Sequence, residues 1–182
     1  MPQSSQTSSK TSVWYLPQNH KQITIPRLAF QNMKQSEALS RAAALCSRTE
    51  YCERQIREKL QKWEVEPSEC DTIINRLYEE KFLDTNRYCL AFCSDKFRQN
   101  HWGRLKIKQA LVMQGLPSPD IQEALADLDS QEYRNALRHI LIQKNKTIKD
   151  ADPYTRKAKL ARHALSKGFE NHLIIPLIEE EF

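Results

Sequence analysis

Apolar residues recur along this chain every three to four positions, and the same arrangement occurs three times. The three copies align on a pair of apolar residues one helical turn apart: Ile56 and Leu60, Ile107 and Leu111, Leu160 and Ala164. The offset is 51 residues between the first two copies and 53 between the last two. A spacing of three to four is helical, because strands alternate every two residues, and a period of about 50 residues is typical of stacked helical units. The pattern predicts an all-α protein made of three tandem three-helix repeats.

Each repeat is predicted to contain three helices. The predicted helices are 37–48, 50–63 and 67–81 in repeat one (37–84), 85–99, 102–114 and 118–128 in repeat two (85–129), and 131–148, 154–167 and 171–180 in repeat three (130–182). Residues 1–36 lack this pattern and contain four basic residues and no acidic one, which predicts a basic, largely disordered tail. A transit peptide is the alternative for this stretch, but the stretch has no amphipathic period.

Several residues at the predicted boundaries are of types that begin or end helices. Asp84 can accept a hydrogen bond at the start of a helix, and Gly115 and Gly168 can adopt the left-handed backbone that ends one. The prolines that suit a first helical turn are Pro67 and Pro119. Pro176 lies well inside the last predicted helix, so we expect that helix to be kinked there or to start later.

An aromatic residue stands near the start of the second helix in every repeat. Trp102 aligns with Tyr51, and Tyr154 lies one residue out of register. This recurrence favours packing against neighbouring helices over a platform on which nucleic-acid bases stack. Gly103 is then expected to let the chain turn beside the indole.

Positive charge is concentrated in the tail and in the second half of the chain. The net charge is +5, and repeat one carries 8 basic and 11 acidic residues, repeat two 6 and 5, and repeat three 10 and 7. Two stretches, 96–108 and 153–169, contain no acidic residue. The basic residues there and on the preceding helix are Lys96, Arg98, Arg104, Lys106, Lys108, Lys144, Lys146, Lys149, Arg156, Lys157, Lys159, Arg162 and Lys167. They are either solvated outer faces or a basic surface for an anionic partner, and their adjacency in two repeats favours the second interpretation.

The chain has no motif typical of an enzyme, a metal site or a membrane protein. It lacks phosphate-binding glycine motifs, its five histidines are scattered, and no catalytic, cofactor-binding or metal-binding residue is predicted. The five cysteines, at Cys46, Cys52, Cys70, Cys89 and Cys93, form no CxxC pair. They favour small buried thiols in a reducing cytosol over a zinc site. No signal sequence or membrane span is recognisable, so a cytoplasmic protein is expected.

Residues 79–103, EEKFLDTNRYCLAFCSDKFRQNHWG, resemble the central signature of the RecX family of regulatory proteins. The matching positions are Glu79, Glu80, Phe82, Leu83, Asp84, Arg87, Tyr88, Phe92, Arg98, Trp102 and Gly103. The resemblance extends over about residues 37–180 and includes Gly115 and the KGF sequence that contains Gly168. Lys81 and Cys89 depart from the family pattern, which has glycine and alanine there in many members.

The resemblance implies a non-catalytic modulator of the recombinase RecA, with a part in DNA repair, recombination and the SOS response. Family members are elongated, curved arrays of three-helix units. They bind RecA filaments on single-stranded DNA in the filament groove and inhibit ATPase, strand exchange and co-protease activities. We therefore expect RecA filaments and single-stranded DNA, reached directly or through RecA, as partners of a monomer. Arg87 is expected to form an intrahelical or inter-unit bridge, pairing near Asp84 or Glu80, rather than to contact a ligand.

Two other functions remain open from the sequence. Three-helix units also occur in DNA-binding modules, although Asp120 and Asp127 on the third helix of repeat two argue against insertion into a groove. A scaffold that binds only protein is the second alternative, and it would show no salt-sensitive affinity for DNA.

Overall fold

The computed structural model describes residues 34–149 and 152–182, and all regular secondary structure within them is α-helical. The helices are α1 (Gln35–Cys46), α2 (Glu53–Lys62), α3 (Pro67–Glu79), α4 (Thr85–Asn100), α5 (Arg104–Met113), α6 (Ser118–Ala126), α7 (Ser130–Asn145), α8 (Pro153–Lys167) and α9 (Asn171–Glu181). This confirms the all-α class and the three tandem three-helix repeats. The predicted tail lies almost entirely outside the described residues. No helix in the described ranges is long and apolar enough to cross a bilayer.

The aligned apolar pairs form the centre of each repeat. All six of these residues, from Ile56 and Leu60 to Leu160 and Ala164, are fully buried at 0% exposure. The buried residues nevertheless form two clusters rather than three. Repeat one has its own core apart from Cys52, which belongs to the core that repeats two and three share. In that shared core Phe97 and Phe169 both contact Tyr133. Repeats two and three are therefore one packing unit.

Most of the predicted helix starts are confirmed. The Asp84 carboxylate accepts a hydrogen bond from the Arg87 backbone N–H at 2.9 Å, and Pro67 and Pro119 lie in first turns. The expectation for Pro176 was wrong in one respect, because α9 begins at Asn171 and continues through the proline. A proline deprives the carbonyl four residues earlier of its helical partner. Here that residue, His172, and Pro176 are both exposed, so the proline lies on the outer side of α9.

The three repeats share a left-handed residue after their second helix. Gly115 (φ 81°) and Gly168 (φ 89°) adopt this conformation as predicted, and Glu64 occupies the equivalent place in repeat one with φ 57°. Lys81, at the position where the resemblance implies glycine, is also left-handed, with φ 61°. Glu64 and Lys81 thus adopt backbone geometry that favours glycine, at a cost of about 1 kcal/mol each.

We expect opposite effects from exchanging residues at two of these equivalent positions. Gly115→Ala should cost about 1 kcal/mol of unfolding free energy, because the backbone is left-handed although a Cβ there meets nothing within 4 Å. Glu64→Gly should gain about 0.5 kcal/mol by relieving the same strain. Urea unfolding of both variants measures this. As a control, Gln109→Gly, at an exposed helical site, should lose about 1 kcal/mol. If Gly115→Ala and Glu64→Gly changed the free energy of unfolding in the same direction, the explanation by left-handed strain would be contradicted.

The aromatic prediction is confirmed in two repeats and wrong in the third. Trp102 and Tyr51 are partly buried against the two cores, whereas Tyr154 is 83% exposed. The reason given for Gly103 was also wrong. Its backbone N–H donates to the Lys167 carbonyl at 2.8 Å, and a Cβ there would lie 2.2 Å from the Gly168 carbonyl oxygen. Close approach of repeat three, rather than a turn beside the indole, requires this glycine.

The cysteines are confirmed as buried thiols. Cys46, Cys52, Cys89 and Cys93 are buried, Cys70 is half-buried, and all five are free. Burial raises the pKa of Cys89 to about 11 and that of Cys93 to about 12. These thiols therefore stay protonated at neutral pH and pack as apolar side chains. No group of three or more potential metal ligands occurs among the described residues.

Candidate nucleic-acid interface

Backbone contacts bring together three helix ends that carry basic residues. The end of α4, the start of α5 and the end of α8 meet where the Leu105 N–H donates to the Gly168 carbonyl at 3.0 Å. Across the same junction, the Lys106 ammonium donates to the Ser166 carbonyl and the Lys167 ammonium to the Asn100 carbonyl, both at 3.4 Å. The structure thus places the first acid-free stretch beside the end of the second.

Trp102 lies beneath two cations at this junction. The ammonium of Lys106 is 4.7 Å from the centre of its ring, and that of Lys96 is 5.6 Å away. Lys96 also lies 5.2 Å from the Phe92 ring. Such contacts contribute about 0.5–1 kcal/mol at exposed sites. The indole therefore holds two ammonium groups close together while it packs against the core.

Arg104 differs from the other basic residues of its stretch. Only 24% of its side chain is exposed, and its guanidinium lies 4.0 Å from the centre of the Tyr133 ring. It donates to the Leu125 carbonyl at 3.2 Å and to the Leu128 carbonyl at 3.1 Å. These carbonyls belong to the end of α6 and the residues after it, where a positive charge stabilises the helix. The predicted binding residue Arg104 is thus half-buried and links α5 to α6.

The same network joins repeat two to repeat three through the Tyr133 hydroxyl. This hydroxyl accepts a hydrogen bond from the Arg104 backbone N–H at 2.8 Å and donates to the Glu170 carboxylate at 2.7 Å. Burial, and then the hydrogen bond to Glu170, raise the pKa of Tyr133 well above its usual value. The hydroxyl therefore keeps its proton and acts as a structural donor at any physiological pH.

The remaining predicted binding residues differ in exposure. Arg98, whose side chain is 66% exposed, lies 3.7 Å from Glu132, a distance at which a surface ion pair contributes little. Exposed residues include Lys108, Lys146 and Arg162, and half-buried ones are Lys144, Arg156, Lys157 and Lys159. Lys144, Lys159 and Arg162 line a groove between α7 and α8.

The signature residues build the junction between repeats one and two. The Arg87 guanidinium bonds the Glu50 carboxylate at 2.6 Å and the carbonyls of Lys81 and Phe82. The expected bridge is thus present, but the predicted partners Asp84 and Glu80 were wrong. Leu83 and Tyr88 are buried, with the Tyr88 hydroxyl donating to Gln114 at 2.6 Å.

The two acidic residues at the start of the signature are exposed. Glu80 pairs with Arg76 one turn earlier on α3, and Glu79 is exposed at the last residue of that helix. The sequence did not predict the roles of Glu50 and Gln114, or that of Arg54, which donates to the Met113 carbonyl at 2.6 Å. No pattern in the neighbouring sequence indicates these residues, because their partners lie 26 to 59 residues away along the chain.

Family models for the first, second and third three-helix domains of RecX match residues 38–77, 86–125 and 131–176. Regulatory protein RecX of Clostridium beijerinckii is 29% identical over 141 residues, which cover 76% of this chain and 65% of the relative. The protein of the same name from Clostridium botulinum (strain Alaska E43) is 33% identical, with 70% and 60% covered. That of Leuconostoc mesenteroides is 28% identical, with 74% and 50% covered. The chain thus spans about half to two thirds of the length of these relatives.

Two crystal structures share the fold. A structure of regulatory protein RecX has a TM-score of 0.73 at 20% identity, covering 81% of this chain and 73% of that one. RecX from Lactobacillus salivarius has a TM-score of 0.72 at 17% identity, covering 80% and 95%.

Proposed function

Because the chain belongs to the RecX family, we propose that it is a non-catalytic, cytoplasmic regulator of the recombinase RecA. It binds RecA filaments on single-stranded DNA and inhibits their ATPase, strand exchange and co-protease activities. The observation that carries this proposal is the match of all three tandem domains, combined with the exposed cations of repeats two and three.

The arrangement of the repeats suits a filament as partner. A filament offers the same surface again and again, so a protein made of tandem units gains affinity by contacting several sites at once. Such gain requires that the contacting units keep a fixed spacing. The shared core and the backbone hydrogen bonds at Gly103 and Leu105 supply this for repeats two and three.

The charges suit the two components of the proposed target. Exposed cations at Arg98, Lys108 and Lys146 can lie against DNA phosphates or an acidic RecA surface. Repeat one, with three more acidic than basic residues, fits a different and more basic protein surface. Attraction of this kind speeds association and weakens as salt increases.

The perturbed ionisable groups support a regulator rather than an enzyme. Catalytic residues with shifted pKa values face a cleft, where they reach a substrate. Of the groups whose pKa is most raised in the described residues, Tyr133, Cys89 and Cys93 are instead buried in the shared core, and Tyr88, which borders a cavity, is only 4% exposed.

A DNA-binding module without RecA specificity is the second candidate. It is favoured by the three-helix form of each repeat and by the same exposed cations. Such a module would bind single-stranded DNA and leave RecA unaffected. The acidic residues Asp120, Glu123 and Asp127 on and just after α6 make reading of bases by this helix unfavourable.

Neutralising three exposed cations should weaken inhibition of RecA. We expect the variant R98Q/K108Q/K146Q to need about tenfold more protein for half-maximal inhibition of RecA ATPase on single-stranded DNA, since three surface charge contacts at roughly 0.5 kcal/mol each give this factor. None of the three side chains has a structural role like that of Arg104, so the fold should persist. Titration of the ATPase rate measures the effect.

The matched control neutralises three exposed cations at the other end of the described chain, in K34Q/R48Q/K62Q. This control should raise the protein concentration needed for half-maximal inhibition by less than threefold. Equal weakening by both variants would mean that net charge, rather than this surface, matters. Absence of inhibition by the native protein, with DNA binding retained, would favour the second candidate.

A further inference from the structure

A groove between α7 and α8 is lined by cations and histidines. It consists of two adjoining cavities of about 450 and 340 Å³, which share Lys144 and His163. The other cations along it are Lys159, Arg162 and Lys167, all from α8. No carboxylate occurs among the described residues that line it. The side chains that line the groove are thus basic or neutral, and such a lining attracts an anion.

Three imidazoles line the larger cavity, two from helices and one from the residue that follows a helix. His101 follows α4, His139 lies on α7 and His163 on α8, and the rings of His101 and His139 are 6.3 Å apart. His163 faces Lys144 from α7 and Lys167 from its own helix. Burial, and then these two ammonium groups, lower the pKa of His163. It is therefore neutral at neutral pH while the groove is empty.

The dimensions of the groove suit an extended polyanion. Lys159 and Lys167 are eight residues apart on one helix, which corresponds to roughly 12 Å along its axis. Each strand of duplex DNA carries one phosphate for about every 3.4 Å of helix axis, and consecutive phosphates of an extended single strand are roughly twice as far apart. The groove is thus long enough for more than one phosphate of the same strand. A single free anion would occupy only part of it.

We propose that this groove binds the phosphodiester backbone of single-stranded DNA, and that its three histidines make the binding stronger as the pH falls. This inference rests on the proposed function insofar as that function brings the protein to single-stranded DNA. It assigns the contact to a particular groove in repeat three. It also adds the three histidines, which are not among the basic residues predicted to bind an anionic partner.

The direction of the pH dependence follows from proton linkage. A phosphate beside an imidazole favours the protonated ring, which offers two N–H donors, and therefore raises the histidine pKa in the complex. DNA binding then takes up protons. The gain in affinity is complete below the pKa of the free protein and is lost as the pH rises through the higher pKa of the complex. The pKa of His163 in the free protein lies below the ordinary histidine value, so the loss of affinity begins on the acid side of neutrality and continues as the pH rises through the higher pKa of the complex.

The test measures binding of a fluorescently labelled 20-nucleotide oligo(dT) to the full chain, without RecA, at pH 6.0 and 8.0 and equal ionic strength. The native protein should bind about tenfold more tightly at pH 6.0, which corresponds to a total pKa increase of about one unit. The variant H101N/H139Q/H163Q should lose this difference to within twofold. Asparagine is chosen at position 101 because the backbone there is left-handed, with φ 54°. The control H172Q, at an exposed histidine on α9, should keep the difference.

Salt dependence provides a second readout that does not involve the histidines. The variant K144Q/R162Q should bind more weakly at both pH values, and its slope of log affinity against log salt should fall by about 1.4, or 0.7 for each lost phosphate contact. The control R48Q/K62Q should leave the slope unchanged. Circular dichroism confirms that each variant is folded before its affinity is interpreted.

Two outcomes would overturn the inference. One is equal native affinity at pH 6.0 and 8.0, and the other is an unchanged salt slope in K144Q/R162Q. RecA ATPase inhibition by the same proteins at pH 8.0 separates this inference from the proposed function. Inhibition without pH-dependent DNA binding would refute DNA binding by the groove and leave the proposed function standing. DNA binding that depends on pH, without inhibition, would refute RecA regulation and leave the groove inference standing.

Discussion

Gly103→Ala should lower the free energy of unfolding by at least about 3 kcal/mol and separate repeat two from repeat three. A Cβ at this position would lie 2.2 Å from the Gly168 carbonyl oxygen and 2.4 Å from the Phe169 nitrogen. Both are backbone atoms, so no side chain can move aside to make room. To avoid the overlap, the junction must open and lose the hydrogen bonds that the N–H groups of Gly103 and Leu105 donate across it. Each such bond contributes about 1 kcal/mol, and overpacking adds about 1–3 kcal/mol.

Urea unfolding measures the loss for Gly103→Ala. Gly115→Ala is the matched control, because it adds the same methyl group to a glycine with open space around it. The control should lose only the roughly 1 kcal/mol of left-handed strain. A loss below about 1 kcal/mol for Gly103→Ala would contradict the close approach of the two repeats. RecA inhibition should weaken in the variant, since its repeats no longer present their cations at a fixed spacing.

Arg104→Met should lower the free energy of unfolding by about 2–4 kcal/mol. We expect this loss although Arg104 belongs to an acid-free stretch whose sequence predicts an exposed basic surface. Methionine keeps much of the side-chain length and loses the charge and the donors. The carbonyls of Leu125 and Leu128 at the end of α6 then lose their partner, and the contact with the Tyr133 ring disappears. Hydrogen bonds from a charged donor contribute about 1.5–3 kcal/mol, and the cation–π contact adds about 1 kcal/mol.

Lys108→Met is the matched control for this change. Lys108 lies one helical turn later on α5 and is exposed, so we expect its replacement to change stability by less than about 0.5 kcal/mol. Thermal or urea unfolding distinguishes the two variants. Equal small effects would show that the Arg104 guanidinium is free to bind a partner. A large effect for Arg104 alone means that removing its guanidinium disturbs the fold, so a loss of binding in this variant would not locate a contact with a partner.

The features that the sequence predicted depend on local pattern. Helical spacing around Ile56, Ile107 and Leu160 was enough to place the three repeats, because burial of these residues is repeated in each unit. Likewise, a glycine after a helix predicts left-handed backbone wherever it stands. Glu64 shows the limit of this inference, since its left-handed conformation is visible only through alignment with Gly115 and Gly168.

The features that the sequence did not predict depend on residues that are distant along the chain. Arg104 and Lys108 are one turn apart and carry the same charge, yet only Arg104 meets the end of α6 and Tyr133. Gly103 is required by Gly168, which lies 65 positions later. The groove similarly combines His101, His139 and His163 from three helices that periodicity alone cannot bring together. Tertiary packing decides each of these cases.

Electron cryomicroscopy of RecA filaments on single-stranded DNA, saturated with this protein, tests the central claim most directly. We expect additional density that follows the filament groove and fits the helices of repeats two and three, with Arg98, Lys108 and Lys146 facing DNA phosphates or acidic RecA side chains. Undecorated filaments at saturating protein, with the protein bound only to free DNA, would contradict the account.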